Sequence, residues 1–231
     1  MFSKILENGD DVIHLCMSSG ISEGSYNSAF LTANTLNEEF NNKVHVIDTL
    51  NGATGGTLIY NIAEGLIKEG YSVKSVIEYL NLLKNNILTS FYVPDPKGFI
   101  RSGRNKSELC IKDKAILMGL KTALIAGIKF RVDFNEDGNL YTKKIFKSKK
   151  KDGMMKLTQN IINEQNKYQY DPKIAVVGTV KERYVLIDDI ITYLEDLHYF
   201  DKIIRKDING IVAAYGSEDL CGISLVKKYT N

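Results

Sequence analysis

The chain has 231 residues, of which 44% are hydrophobic and 25% are charged, and its formal net charge is +2. These proportions are typical of a globular protein that is long enough for one large or two small domains with buried cores. The small net charge excludes a nucleic-acid binder that works by bulk electrostatic attraction, so we expect no nucleic-acid partner.

The cysteines and the longest apolar stretch indicate where the protein works. Cys16, Cys110 and Cys221 lie far apart, and no Cys or His pair has the spacing of zinc ligands. This usage fits a reducing compartment, and no metal or cofactor is indicated. The chain starts without a signal-peptide pattern. The longest apolar stretch, 115–128, is broken by Lys121 and is too short to cross a bilayer, so we expect a cytoplasmic protein that does not span a membrane.

A loop rich in serine and glycine is the most informative segment of the sequence. Residues 12–17 are strand-forming, and from residue 26 the apolar positions recur at helical spacing. A strand that passes through such a loop into a helix directs N–H groups, hydroxyls and the helix dipole at one point, which suits a carboxylate or phosphate. Ordinary N-capping by serine explains the same pattern and is favoured on local chemistry alone. The candidate binding residues here are Ser18, Ser19, Gly20, Gly24 and Ser25.

The rest of the first half alternates strands and helices. We predict strands at 44–47 and 87–93, and between them two helices, at 55–70 and after Ser72. Strands separated by helices predict a mostly parallel sheet covered by helix layers. Thr49 follows the second strand at the same sheet edge as the serine loop, which makes it a further candidate binding residue, although an ordinary glycine-rich turn between strand and helix is the favoured explanation.

The second half is predicted to be an α+β unit. Pro94 and Pro96 mark the best candidate boundary, so we predict an α/β domain over 1–96 and an α+β domain over 97–231. The fold class is therefore α/β with two domains. Beyond the boundary the patterns predict helices from 112, at 149–166 and at 185–197, a hairpin of strands 130–134 and 140–146, and further strands at 173–177, 202–204, 211–214 and 222–226.

Two basic segments have both a functional and an ordinary interpretation. Arg101 and Arg104 flank a tight Ser-Gly bend and could clamp a carboxylate or phosphate, although a solvated turn explains them equally well. The lysine run within 143–151 is typical of a solvated face, with an acidic partner as the alternative. The chain has no Walker A loop, GxSxG elbow or HExxH motif, so nucleophilic catalysis is not indicated.

Taken in order, these segments resemble the DegV family of bacterial lipid-binding proteins. The run Ser-Ser-Gly-Ile-Ser-Glu-Gly-Ser-Tyr at 18–26 resembles the family's Ser-Ser-Gly-Leu-Ser-Gly-Thr-Tyr loop with one residue inserted. Val-Ile-Asp-Thr at 46–49, followed by glycines at 55–56, resembles its Val-Ile-Asp-Ser segment. Arg-Ser-Gly-Arg at 101–104 resembles its Arg-Gly-Gly-Arg turn, and Asp-Gly at 137–138 with the lysine run resembles its hairpin and basic segment.

The resemblance implies two domains that hold a fatty acid between them, with the carboxylate near the serine loop. It implies a binding protein without chemistry of its own, and some members act as the fatty-acid-binding subunit of a fatty acid kinase. This sequence also departs from the family's pattern at several positions. The family's N-terminal segment with a carboxylate-binding Thr is expected to be missing. Tyr215 stands where the family has a functional His, and Lys147 stands where its basic segment has an Arg.

Three hypotheses follow. The first is a cytoplasmic binding protein for a long-chain fatty acid or a similar amphipathic carboxylate. The second is a phospho-ligand protein or enzyme that uses the serine loop, Thr49 and Arg104. The third is a shortened family member that no longer binds a ligand and serves as an interaction module. A dry apolar tunnel would favour the first and a short polar cleft the second. A missing first strand would expose a sheet edge and favour dimerisation, strand exchange or low stability.

Overall fold

The computed structural model describes residues 2–95, 126–149, 152–164, 170–180 and 183–228. The predicted Arg101–Arg104 turn and the helix predicted from 112 lie outside these residues. The described helices and strands are, in chain order, α1 (Phe2–Glu7), β1 (Val12–Cys16), α2 (Ser19–Glu39), β2 (Val44–Asp48), α3 (Thr54–Lys68), α4 (Val73–Leu83), β3 (Ile87–Val93), β4 (Ile128–Phe134), β5 (Leu140–Lys147), α5 (Gly153–Glu164), β6 (Tyr170–Thr179), α6 (Val185–Asp196), β7 (Lys202–Asp207), α7 (Gly210–Gly216) and β8 (Cys221–Lys227).

Within the described ranges the strands form two sheets. Strands β1 and β2 pair in parallel, and the six others have the order β5-β4-β3-β8-β6-β7, in which only β6 and β7 run parallel. The predicted α/β class is confirmed. The pairing of β3 differs from the prediction, since this strand lies antiparallel between β4 and β8 and does not extend the β1–β2 pair. Every β3 residue is buried, which fits a central strand but does not reveal its neighbours.

The helices form layers on both sides of the six-stranded sheet. Helices α3 and α4 pack on one face, and their apolar side chains also contact Ile47 of β2. Helices α5 and α6 cover the opposite face. Helix α2 covers the β1–β2 pair from the side away from α4. The β1–β2 pair is thereby held against the larger sheet through a shared helix layer. The division into domains at residue 96 stays a prediction.

The segment at 211–214 is helical, although its apolar run predicted a strand. Asn209 caps helix α7, since its side chain accepts a hydrogen bond from the N–H of Val212 at 3.2 Å. Asparagine is among the preferred N-cap residues, and a short apolar run by itself does not distinguish a buried helix from a strand. The hairpin, the Ser72-capped helix and the other predicted elements in the described ranges are confirmed with shifted ends.

The start of α3 is pinned against the six-stranded sheet. A Cβ on Gly178 would lie 2.7 Å from Cγ2 of Thr54, so only glycine allows this approach. The Thr54 hydroxyl accepts a hydrogen bond from Ser224, whose oxygen lies 2.8 Å from that of Thr89. All three hydroxyl side chains are buried. This contact fixes where the loop between β2 and α3 stands above the sheet.

A buried ion pair joins β4 to its neighbours. Arg131 and Asp133 are 3% and 2% exposed, and their closest charged atoms lie 2.9 Å apart. Ser90 donates a hydrogen bond to Asp133 at 2.6 Å, and Glu164 of α5 accepts from Arg131 at 2.8 Å. Burial opposes the charge of Arg131, but the two carboxylates outweigh it and raise the pKa of the guanidinium. The guanidinium of Arg131 therefore stays charged inside the fold.

Replacing Arg131 with Met should destabilise the protein by about 3–5 kcal/mol, because Asp133 would remain buried without its counter-ion. Lys68→Met is the matched control, since the Lys68–Glu64 pair on α3 is exposed and such pairs contribute about 0–1 kcal/mol. Urea unfolding measures both free energies. Equal losses in the two variants would show that the buried ion pair contributes no more to the free energy of unfolding than an exposed pair.

Candidate functional site

Ser18 caps helix α2 and ties it to the β4–β5 hairpin. Its side chain is fully buried, and its Oγ accepts a hydrogen bond from the N–H of Gly20 at 3.2 Å. The same hydroxyl donates to the carbonyl of Gly138 at 2.7 Å. The donor of Ser18 is therefore used inside the protein, so the structure gives this predicted binding residue a capping role.

The N-terminus of α2 already holds an anion, which is the carboxylate of Asp48. Its Oδ1 accepts from the N–H groups of Ser19 at 3.1 Å and Leu50 at 3.0 Å. The next N–H groups, of Ile21 and Ser22, donate to the carbonyl of Ser18. The sequence left open whether such groups face a ligand anion or are capped by the protein, and in the structure the protein itself satisfies them. These N–H groups are therefore not free for a ligand.

The turn of the β4–β5 hairpin presses against the loops that follow β1 and β2. Gly138 has φ +72°, and a Cβ there would lie 2.1 Å from Oγ of Ser18 and 3.0 Å from Cα of Leu50. A Cβ on Gly20 would lie 2.7 Å from the carbonyl of Asp137 and from the backbone of Gly138. Glycine is needed on both sides of this contact, which makes the hairpin one wall of the site.

Thr49, the candidate after β2, is buried and has a structural role. Its hydroxyl donates to the carbonyl of Cys16 at 2.7 Å, which joins the ends of β1 and β2. The loop continues through Leu50 and Ala53, both in the left-handed region with φ of 51° and 48°. Side chains other than glycine adopt this conformation at a cost, so the surrounding contacts hold the loop in place.

A cavity of about 520 Å³ opens at the start of α2. Ser19 is half-buried there, and its hydroxyl makes no hydrogen bond within the described part of the chain. Its donor is therefore available to a ligand. The residues that line the cavity are mostly polar, namely Ser19, Gly20, Ile21, Glu23, Tyr26, Asn27 and Asn139.

Among the described candidates, Gly24 and Ser25 do not line this cavity. Gly24 is exposed with open space around it, and the exposed hydroxyl of Ser25 lies 2.7 Å from that of Ser22. Ser22 has non-helical angles, so α2 is kinked within the segment where the resemblance indicated an inserted residue. Arg104 and the side chain of Tyr215 lie outside the described residues, although the backbone of Tyr215 belongs to α7.

An apolar surface begins beside the serine loop. Met17 follows β1 and is 41% exposed. A Cβ built on Gly52 would contact both Met17 and Phe134, so the two side chains flank this glycine. Phe134 packs edge-on against Phe91, with 6.1 Å between ring centres, and belongs to an apolar cluster that includes side chains of β3, β4 and β5. Sequence reasoning missed this surface, because single apolar residues at strand ends do not stand out.

The cysteines in the described ranges are not nucleophiles. Cys16 and Cys221 are free and buried. Burial raises the pKa of the Cys221 thiol to about 12, and burial together with Asp48 raises that of Cys16. Both are therefore neutral thiols at physiological pH. No group of three His, Cys, Asp or Glu side chains in these ranges could hold a metal ion, and no helix there combines the length and apolar composition needed to traverse a bilayer.

Gly20 and Gly24 of α2 provide a matched test of the hairpin contact. Gly20→Ala should destabilise the protein by about 1–3 kcal/mol, because the new methyl group collides with the backbone of Asp137 and Gly138. Gly24→Ala should stabilise it by up to about 1 kcal/mol through helix propensity, since nothing lies within 4 Å. Urea unfolding measures both. A stabilising Gly20→Ala would mean that the hairpin does not contact the loop.

Comparisons with known proteins agree with this fold. A family model described as an uncharacterised protein of the DegV family matches residues 1–228. The DegV domain-containing protein YteA of Lactococcus lactis is 29% identical over 152 residues, which is 65% of this chain and 49% of that protein. A DegV domain-containing protein of Clostridium perfringens is 23% identical over 204 residues, 84% of this chain and 66% of the relative. The chain thus spans about half of the first relative and just under two thirds of the second.

Solved structures share the architecture. A DegV family protein from Eubacterium eligens, loaded with heptadecanoic acid, has a TM-score of 0.77 at 18% identity and covers 96% of this chain and 76% of its own. The Streptococcus pneumoniae fatty acid kinase B3 protein, loaded with linoleic acid, has a TM-score of 0.76 at 17% identity and covers 98% and 76%. A stearic-acid-binding protein from Eubacterium ventriosum gives 0.76 at 19%, with 99% and 74% covered. Since the family model spans nearly the whole chain and family structures share its fold, this chain belongs to the DegV family.

Proposed function

We propose that the protein binds a long-chain fatty acid or a similar amphipathic carboxylate and carries out no chemistry on it. The observation that carries the proposal is the free Ser19 hydroxyl at the cavity. The exposed apolar side chain of Met17 lies two residues before it in the same loop. The head group would lie at Ser19 and the chain over the apolar surface that begins at Met17 and Phe134. The fatty acids held by the family structures described above support this ligand class.

The two parts of such a ligand would contribute unequally to affinity. A chain of roughly fifteen methylenes at about 0.8 kcal/mol each gives on the order of 10 kcal/mol before the costs of binding. A hydrogen bond to a charged group contributes about 1.5–3 kcal/mol. The chain would therefore supply most of the affinity, and Ser19 would set the orientation of the carboxylate.

The described cavity is polar and is not the dry apolar tunnel expected for a fatty acid, but its charges favour a carboxylate over a phosphate. The described lining includes the carboxylate of Glu23 and no Lys or Arg side chain, and Asp48 occupies the nearby helix terminus. A phosphate with nearly two negative charges is held best by cationic donors, whereas one carboxylate can be held by neutral hydroxyl and amide groups. The alternative of a phospho-ligand protein or enzyme depends on Arg104, outside the described residues.

We propose further that the protein works in the cytoplasm and presents the carboxylate to a fatty acid kinase, with Arg104 as a functional cation. The similarity to a fatty acid kinase subunit supports this partner. Tyr215 would replace an ionisable His by a phenol that ionises only near pH 10, so phosphoryl transfer from the kinase to the fatty acid carboxylate should be slow.

Arg104→Lys would keep the positive charge and lose the planar guanidinium, so it should slow acyl-phosphate formation. Acyl-phosphate formation with a kinase at an unchanged rate would contradict this role for Arg104.

Native mass spectrometry of the protein purified from bacteria tests the ligand class directly. We expect a mass increment that equals a fatty acid and is released by organic extraction. Protein that carries no lipid and binds no added palmitate in calorimetry would overturn the proposal and favour the hypothesis of a non-binding interaction module.

Ser19→Ala should weaken palmitate binding by about 1.5–3 kcal/mol in calorimetry, because one hydrogen bond to the carboxylate is lost. Ser28→Ala is the control, since Ser28 is exposed further along the same helix and away from the cavity. Equal affinity in the two variants would exclude Ser19 as a head-group contact, and unfolding curves should show that both variants remain folded.

A further inference from the structure

Asn139 carries a side chain at the cavity that the fold itself does not use. Its backbone closes the hairpin turn, since its N–H donates to Oδ1 of Asn135 at 2.8 Å and its carbonyl accepts from the N–H of Asn135 at 2.9 Å. Its own carboxamide makes no hydrogen bond within the described ranges, and Oδ1 is buried without a partner. Buried polar groups without partners are rare in folded proteins and call for an explanation.

The position of Asn139 relative to Ser19 is fixed by backbone contacts. Its neighbour Gly138 accepts the hydrogen bond from Ser18, and Gly20 packs directly on the same turn. Ser19 lies between Ser18 and Gly20 in the sequence. Ser19 and Asn139 thus approach the same cavity from helix α2 and from the hairpin, and both line it.

A carboxyl group is the ligand chemistry that matches these two side chains. The Asn carboxamide offers two N–H donors and one acceptor, and rotation about its terminal bond presents either end. An ionised carboxyl accepts from the amide and from the Ser19 hydroxyl. A protonated carboxyl can also donate its O–H to Oδ1. A protonated carboxyl therefore satisfies Oδ1 directly, whereas an ionised carboxyl pairs with the carboxamide only after rotation has placed Nδ2 in the position of Oδ1.

We infer that Asn139 binds the head group directly, so that the ligand carboxyl is held between Ser19 of helix α2 and Asn139 of the hairpin. The inference rests on the proposed function and adds a residue from a second element to the site. The hairpin then selects for a carboxyl head group, because a hydroxyl or methyl ester cannot make the same set of hydrogen bonds with both side chains.

Calorimetry with palmitate tests this inference in three variants. Asn139→Ala removes the amide and should weaken binding about tenfold or more. Asn139→Asp has the same shape but replaces the N–H donors with a negative charge, so the loss should be larger. Asn34→Asp makes the same charge change at an exposed position of α2 and should leave the affinity unchanged. Thermal unfolding should show all three folded, since only the Asn139 backbone holds the turn.

The pKa of the bound carboxyl gives a measurement that a purely structural role would not alter. With palmitate labelled at its carboxyl carbon, NMR titration should give a higher carboxyl pKa in Asn139→Asp than in the wild type, and no change in Asn34→Asp. Wild-type binding with unchanged affinity and carboxyl pKa in the Asn139 variants would overturn this inference alone. Absence of palmitate binding by the wild type would overturn the proposed function and this inference together.

Discussion

The contact between Ser18 and Gly138 is the constraint on which the candidate site depends. It joins the start of helix α2, which belongs to the β1–β2 unit, to a hairpin of the six-stranded sheet through a buried hydrogen bond of 2.7 Å. The hairpin can approach this closely because Gly20 and Gly138 lack side chains. Once the contact forms, the residues on either side of it, Ser19 and Asn139, face one cavity. The site is therefore a consequence of how the two sheets meet.

Neighbouring residues of the site differ in role: some hold the loop in shape, and others are free to contact a ligand. Ser18 and Thr49 donate their hydroxyl hydrogens to backbone carbonyls, and Asp48 satisfies the first N–H group of α2. These hydrogen bonds hold the loop in shape, so the same polar groups are not available to a ligand. Ser19 keeps its hydroxyl free because its backbone, and not its side chain, makes the bond to Asp48. A loop built this way is rigid before a ligand arrives, which lowers the entropic cost of binding.

The six-stranded sheet is anchored by buried polar groups that the apolar sequence pattern does not predict. The buried hydroxyls of Thr54, Thr89 and Ser224 hold α3 above the strands, and the Arg131–Asp133 pair joins β4 to β3 and α5. Such groups are stable in the interior only with their partners in place. They fix the distance between helix layer and sheet, and with it the position of the loops that form the site.

The sequence by itself determined the local structure and the family. Hydrophobic spacing, the Ser72 cap and the Asp-Gly turn predicted most described helices and strands, because these depend on residues close in the chain. Only the tertiary structure decided that β3 pairs with β8, that 211–214 is helical, and that Ser18 supports the loop while Ser19 lines the cavity. Each of these outcomes depends on contacts between distant residues. The bond from Ser18 to Gly138 spans 120 positions, and no local pattern reports which serine will meet a partner that far away.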